Sequence, residues 1–407
     1  MARIFSFPKK NISYDRDNDA SAAATPNWTY KDRIRSHRMV IFYRVLLGLI
    51  LTAAITAALI IQARNRVYTE AEVTTSEDNH SIRTENMIDF AGTILSYGMD
   101  GAACVDVDGK ALWNITYQMQ EPMISVQGDI AAIGDYGSRT IYLLGTGGSI
   151  GEISTTMPIY KFCISQSGET AVILNDTDTT WIYLYNSAGD ILAYFKTTMR
   201  QSGFPVDVTI SPNGKLVGVS YIYVDSGEMR SRVSYYNFGD VGQNETDNYV
   251  SGYEYMGTVI PAIHFMDNEY SFAVADDRIM FYKGSEKPVS HAEHLVADEI
   301  QKVFYDDKYV ALVFYSDQAE YRYHIEVFNK NGNLVDEREY NSEFKDIVMT
   351  GDYVYIYSES RACIYRVNGN TIYDGTLPRS AYLLIPGERN GQFTTVNSDT
   401  VDKVRLR

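Results

Sequence analysis

Cysteine is scarce in this sequence: Cys104, Cys163 and Cys363 are all that its 407 residues contain. An odd number of thiols cannot pair completely, and each lies inside an apolar run (ACVDV, KFCIS and ACIYR). A disulfide framework is therefore excluded, and the three read as small core residues. Secreted animal domains generally carry more bridges, so an external location points to a bacterial surface. Long apolar runs are lacking too, save one, which excludes a multi-pass membrane protein. Beyond that run no segment keeps a helical stripe of useful length. HAEHLVADEIQKVF (291–304) is the one candidate for a short helix, or else a loop entering a strand. Basic charge is short in the same region. Of the net −16, residues 1–38 contribute +4 and Arg44 one more positive charge, leaving −21 on residues 62–407. So acidic a region excludes nucleic acid as a partner and does not lie flat on an anionic bilayer.

What is present begins with Val40–Ile61, VIFYRVLLGLILTAAITAALII. As a helix this stretch rises roughly 33 Å, enough for a hydrocarbon core of about 30 Å. The lipid bilayer is thus the first expected partner, crossed by one transmembrane helix over residues 39–62. The basic cluster KDRIRSHR abuts its N-terminal end, with Arg44 close enough to snorkel, and only Arg64 and Arg66 follow closely on the other side. By the positive-inside rule the N-terminus is cytoplasmic and the large C-terminal region lies outside the plasma membrane. A cleaved signal peptide has a shorter apolar region, a shorter leader and a small-x-small site, which IIQAR does not offer. The helix therefore reads as an uncleaved signal-anchor. Residues 1–38 read as a disordered basic tail and residues 63–87 as a polar spacer.

From about Asn86 the signal changes to short β-branched and aromatic runs separated by turn residues. One hairpin recurs around a glycine: ACVDVDGKALWNI, IYLLGTGGSIGEI, WIYLYNSAGDILAYF, VSYYNFGDVGQ, RIMFYKGSEKPV, IEVFNKNGNLVDER and ACIYRVNGNTIYDG. The turn glycines Gly109, Gly148, Gly189, Gly239, Gly284, Gly332 and Gly369 stand 37–50 residues apart. They supply the positive φ that tight hairpins need. Between them lies a second, more apolar hairpin, such as YKFCISQSGETAVILND, whose second strand is almost continuously apolar, as expected of a strand covered on both faces. Four strands per repeat is the period of a propeller blade. The last repeat, however, has only three strands before the chain stops. The spare strand YTEAEV (68–73) is expected to supply the fourth and close the ring without an exposed edge. Counted this way there are eight blades, with seven as the alternative if the first and last units merge. The fold class is all-β, a β-propeller over residues 88–407 behind one N-terminal transmembrane α-helix. Because YTEAEV follows Ile61 so closely, the seam of the ring is expected near the bilayer.

The hairpin CVDVDGKALWN resembles the outer strands of quinoprotein-like propeller repeats, while ISQSGETAVIL and ISPNGKLVGVS resemble WD40-like inner strands. The whole plan of anchor helix, DGAACVDVDGKALWN and YYNFGDVGQNETDN resembles an uncharacterised family of membrane-anchored propeller proteins in Firmicutes. That resemblance implies the fold and the anchor. It implies no catalytic residues, and the quinoprotein-like hairpins imply no quinone.

Three groups of residues suggest chemistry. Gly147-Gly148-Ser149-Ile150-Gly151 matches G-x-S-x-G, but a nucleophile elbow needs a strand-to-helix turn and this match sits at a hairpin tip. His291 and His294, with Asp298 and Glu299 following, have a spacing that on a helix could hold zinc, yet no third ligand is identifiable and the order is not H-E-x-x-H. Asp106 and Asp108 beside Gly109 resemble part of a calcium loop. A hairpin turn accounts for them, and calcium needs six or more oxygens. The 33 tyrosines lie mostly in strand runs such as DYVYIYSES. They read as packing residues, with a tyrosine-lined groove for sugars or peptides as the alternative. No catalytic, cofactor-binding or metal residue is assigned, and no cofactor is expected.

The expected function is a membrane-tethered scaffold of the bacterial cell envelope, binding an envelope protein or cell-wall polymer through loops at one mouth of the ring. Two other classes stand against it: a glycan-active hydrolase or lyase with residues gathered from several blades, and an envelope sensor signalling to the basic tail. Convergent carboxylates with a His or Tyr in the channel favour the enzyme; a channel of Val, Ser and Gly counts against it.

Overall fold

The computed structural model describes residues 30–64, 66–80, 86–176, 179–197, 202–389 and 391–407. Residues 1–29, read from the sequence as a tail, lie outside them. The chain divides into two compact units, Met1–Arg66 and Val67–Arg407.

The first unit is a helix, Tyr30–Arg64. Its stretch Arg38–Leu59 is long and apolar enough to cross a membrane or to act as a signal. The helix begins before the apolar run, so the cluster KDRIRSHR continues it rather than belonging to a coil. Two hydroxyls that hydrocarbon would leave unsatisfied are bonded within the helix. Thr52 donates to the Leu49 carbonyl at 2.9 Å, and Thr56 to those of Thr52 and Ala53 at 3.0 and 2.9 Å.

In the second unit the described strands form eight four-stranded antiparallel sheets. Blades 1 to 7 run in chain order over 87–116, 122–154, 159–197, 204–256, 262–295, 302–340 and 346–376. Blade 8 combines Leu383–Pro386, Gln392–Val396 and Thr400–Leu406 with Ala71–Asp78. First strands of neighbouring blades lie side by side, and Leu383–Pro386 meets Met87–Phe90, so the ring closes. Middle strands such as Gly101–Val105 and Tyr270–Val274 are buried throughout, as their largely apolar runs require. Fourth strands such as Ala111–Thr116 alternate between exposed and half-buried. Segment 291–304 contains no helix: Val289–Leu295 is the fourth strand of blade 5 and Lys302–Tyr305 the first strand of blade 6. Bulky side chains alternating across a pleat outweigh its helix-forming Ala and Glu.

Ring closure comes from the expected region, but the strand lies further along. Ala71–Asp78 pairs with Thr400–Leu406 from Ala71↔Leu406 to Asp78↔Thr400. A backbone bond from Arg407 N–H to the Glu70 carbonyl (2.9 Å) extends the contact. Only Ala71 and Val73 pack onto apolar neighbours, including Val404 and Leu406. The rest of the strand is polar because it is the outermost of its blade, where hydrogen bonds to one neighbour suffice and no alternation is needed.

Of the repeated turn glycines, Gly109, Gly148, Gly189, Gly284 and Gly332 have positive φ and Gly239 and Gly369 do not; beside Gly369 it is Asn368 that takes it. Some of them serve a second purpose that the repeat alone does not disclose. Gly109 (φ +78°) lies where a Cβ would stand 2.6 Å from the Asp78 carbonyl oxygen, on the last strand of blade 8. Gly189 meets Glu152 of blade 2, and Gly332 meets Ala292 of blade 5, in the same way. These hairpin tips dock on the fourth strand of the preceding blade, and Ala71–Asp78 fills that role for blade 1.

Candidate functional site in the central channel

The first strand of each blade faces the axis of the ring, and such a strand has one edge without a sheet neighbour. Its N–H groups need partners. In three places a side-chain oxygen from the preceding blade supplies one. Ile164 N–H donates to Ser125 Oγ at 3.1 Å, Phe265 N–H to Thr209 Oγ1 at 3.3 Å, and Ile263 N–H to Asp207 Oδ2 at 2.8 Å. These polar residues interrupt otherwise apolar first strands, and that interruption is the sequence signal that could have found the site.

Asp207 is the centre of it. Only 2% of its side chain is exposed, and its other oxygen accepts the Lys161 ammonium at 2.7 Å and the Val208 N–H at 2.9 Å. One carboxylate therefore ties blades 3, 4 and 5 together. Next to Ile263, His264 stacks on Tyr305 of blade 6 with centroids 4.4 Å apart, and its Nδ1 lies 3.1 Å from the Tyr305 hydroxyl. Cys163 of blade 3 has Ser125, Thr209 and the backbone of Ile210 around its sulfur, and its field reaches Tyr305. Lys161, Cys163, Asp207, His264 and Tyr305 thus converge from four blades. Cys163, read from the sequence as a core residue, and His264 both face this cluster, and Cys163 is only half-buried.

Chemically the cluster is quiet. Burial pushes the Cys163 thiol above its ordinary value, with the Asp207 charge adding to the effect. The Tyr305 hydroxyl is also raised, by desolvation where it meets the cluster and by Cys163 and Asp207, although the residue as a whole is 45% exposed. A nucleophilic cysteine needs the opposite shift. His264 is depressed by burial, with Asp207 opposing and Lys161 reinforcing that shift. At neutral pH the cluster therefore presents a thiol, a phenol, a neutral imidazole and a saturated ion pair. It is built to accept and donate hydrogen bonds.

A pH dependence follows from His264. Its ordinary pKa is 6.5 and its folded value lies lower, so the unfolded chain takes up the proton first. Stability is then complete above pH 6.5 and falls as pH drops towards the folded-state value. The denaturation midpoint of the wild type should decline from pH 7.5 to 5 more steeply than that of His264→Phe. Parallel profiles would rule out this contribution.

The groups singled out in the sequence are used elsewhere. Ser149 pairs opposite Leu144 beside a hairpin tip, with no helix following. His291 and His294 lie on a strand, with His291 in a bulge between the Ser290 and Ala292 pairs. His294 Nε2 bonds the Gly332 carbonyl and its ring packs on Phe328, while His291 is exposed. Among the described residues no cluster of three or more metal-ligating side chains occurs. Asp106 accepts the N–H groups of Asp108 and Lys110, both at 2.9 Å, and Asp108 pairs with Lys403 across the seam. Both aspartates are spent on the turn and the closure.

Residues 64–406 match a family described as a family of unknown function, DUF5711. No curated protein matches the sequence. In three dimensions the chain is similar to BamB from Moraxella catarrhalis, with 12% identity, 83% of this chain and 100% of that one covered, and a TM-score of 0.49. Sqt1 from Chaetomium thermophilum is similar at 14% identity, with 83% and 99% covered and a TM-score of 0.50. Apo AztD from Citrobacter koseri is similar at 8% identity, with 72% and 86% covered and a TM-score of 0.50. At such identities the likeness concerns the fold alone.

Proposed function

This chain belongs to the DUF5711 family, and from that premise we propose that it is a membrane-tethered, extracytoplasmic scaffold of the bacterial cell envelope. It binds an envelope protein or a wall polymer and carries out no reaction of its own. The observation that supports binding over catalysis is the state of the channel cluster. Its cysteine is held as a thiol, and the Asp207 carboxylate is engaged by Lys161, Val208 and Ile263. Most glycoside hydrolases need two free carboxyl groups flanking the scissile bond. The anchor supports the location: basic residues flank the cytoplasmic end of a helix fit to span a bilayer. Only residues 65–70 separate that helix from the strand that closes the ring, which makes the tether short.

Proximity labelling with a ligase fused behind Arg407 tests this reading in intact cells. Envelope proteins, or enzymes and carriers of wall polymer, should be enriched over a control that keeps only residues 1–66. Enrichment of cytoplasmic proteins instead would reverse the proposed orientation.

A further inference from the structure

Between the outer strands of blades 6 and 7 lies a cavity of about 460 Å³, away from the channel. Pockets of this size accept small molecules. Its charge is one-sided: Glu337, Glu339 and Asp374 line it against a single basic residue, Arg338. Arg338 is already engaged through two of its three nitrogens. Its Nε donates to Asp336 at 2.8 Å, its Nη2 to the carbonyls of Arg366 and Gly369, and its guanidinium lies 4.1 Å over the Tyr365 ring.

Two polar atoms here are out of solvent and have no partner: the Tyr365 hydroxyl and Glu339 Oε2. Tyr365 is only 1% exposed. The other Glu339 oxygen is held by His324 Nδ1 at 3.1 Å and by Gln318 Nε2 at 3.2 Å, which fixes the carboxylate in place. Leaving a desolvated carboxylate oxygen and a phenol unpaired is costly, and a bound donor removes that cost. The remaining wall combines the rings of Tyr321 and Tyr340 with the uncharged hydrogen-bonding groups of Asn341 and Ser342. Aromatic faces beside carboxylates suit a cation, and amide and hydroxyl groups suit hydroxyls.

We propose that this cavity binds a small hydroxylated primary amine, the chemistry of an amino sugar. Glu339 opposes the ammonium group, and the Tyr365 hydroxyl takes a hydrogen bond from the ligand or gives one to it. The site is separate from the channel cluster and does not depend on where the chain is displayed.

Calorimetry on the full-length protein in detergent micelles tests it, with glucosamine, N-acetylglucosamine and glucose as probes at one slightly acidic pH. Glucosamine should bind, and loss of the charge in either of the other sugars should weaken binding at least tenfold. Glu339→Gln should weaken glucosamine binding about tenfold. Tyr365→Phe should weaken it several-fold while leaving the melting temperature of the free protein unchanged or higher, because its hydroxyl has no partner to lose. The proposal fails if glucosamine does not bind, if it binds no better than its acetylated form, or if Glu339→Gln binds it as well as the wild type. A Tyr365→Phe variant that melts lower when free would assign the hydroxyl to packing and overturn its part in the site.

Discussion

Replacing Asp207 with alanine should destabilise the propeller by about 2–4 kcal/mol, the largest effect expected of any single side chain in the channel. The carboxylate is buried and makes three bonds at 2.7–2.9 Å, to side chain or backbone of three successive blades. Its loss leaves the N–H of fully buried Ile263 without a partner, and that orphaned donor is the dominant cost. Lys161 contributes less. Its side chain is 42% exposed, so it rehydrates when Asp207 is removed; Lys161→Met instead leaves the buried carboxylate with only its two backbone N–H partners and should cost about 1–2 kcal/mol. Asp207→Asn, which keeps an acceptor oxygen but not the charge, should fall between the two. Urea unfolding followed by tyrosine fluorescence and by circular dichroism would measure all three. Equal destabilisation by D207A and K161M would show that the ion pair, rather than the stitch to Ile263, carries the effect.

The second large effect concerns the seam. Deleting residues 71–78 removes the strand that covers Thr400–Leu406 and leaves a bare edge of seven residues. It also strips the partners of Val404 and Leu406 and the strand on which Gly109 docks. Part of the lost hydrogen bonding is returned as chain entropy, so the net loss is a few kcal/mol. The exposed edge matters more, since it templates association between copies. The deleted protein should elute as soluble aggregate, and a peptide spanning residues 69–80 added in excess should restore part of the monodisperse species. Val73→Asp, which sets a charge opposite Val404, should act in the same direction with a smaller effect. A deletion variant that stays monodisperse with an unchanged unfolding midpoint would mean that the ring does not depend on this closure.

How much of this was legible beforehand depends on whether the information is local. The blades were, because turn glycines at 37–50-residue intervals and unbroken apolar second strands are properties of neighbouring residues. Closure was legible by elimination, since a blade short of one strand needs a donor; its exact span was not, because an outermost strand carries no apolar alternation. The pair His291 and His294 shows the opposite case. Their chemistry depends on whether the segment is helix or strand, and packing in blade 5 settles that as strand.

The channel cluster left only a faint trace, polar residues interrupting apolar first strands, and the cavity between blades 6 and 7 left none. Lys161 and Asp207, or His264 and Tyr305, stand some forty residues apart in the chain. Nothing in either neighbourhood marks them as partners. What the sequence by itself determined is the long apolar helix and the four-stranded repeat, with eight blades ahead of seven, because hydrophobic periodicity and turn chemistry act over a few residues at a time. What only the tertiary structure decided is which side chains face each other across blades: Asp207 beneath Ile263, Gly109 against Asp78, and Glu339 with Tyr365 around one cavity. Those meetings depend on the rotation from one blade to the next, a property of the closed ring that no single blade contains.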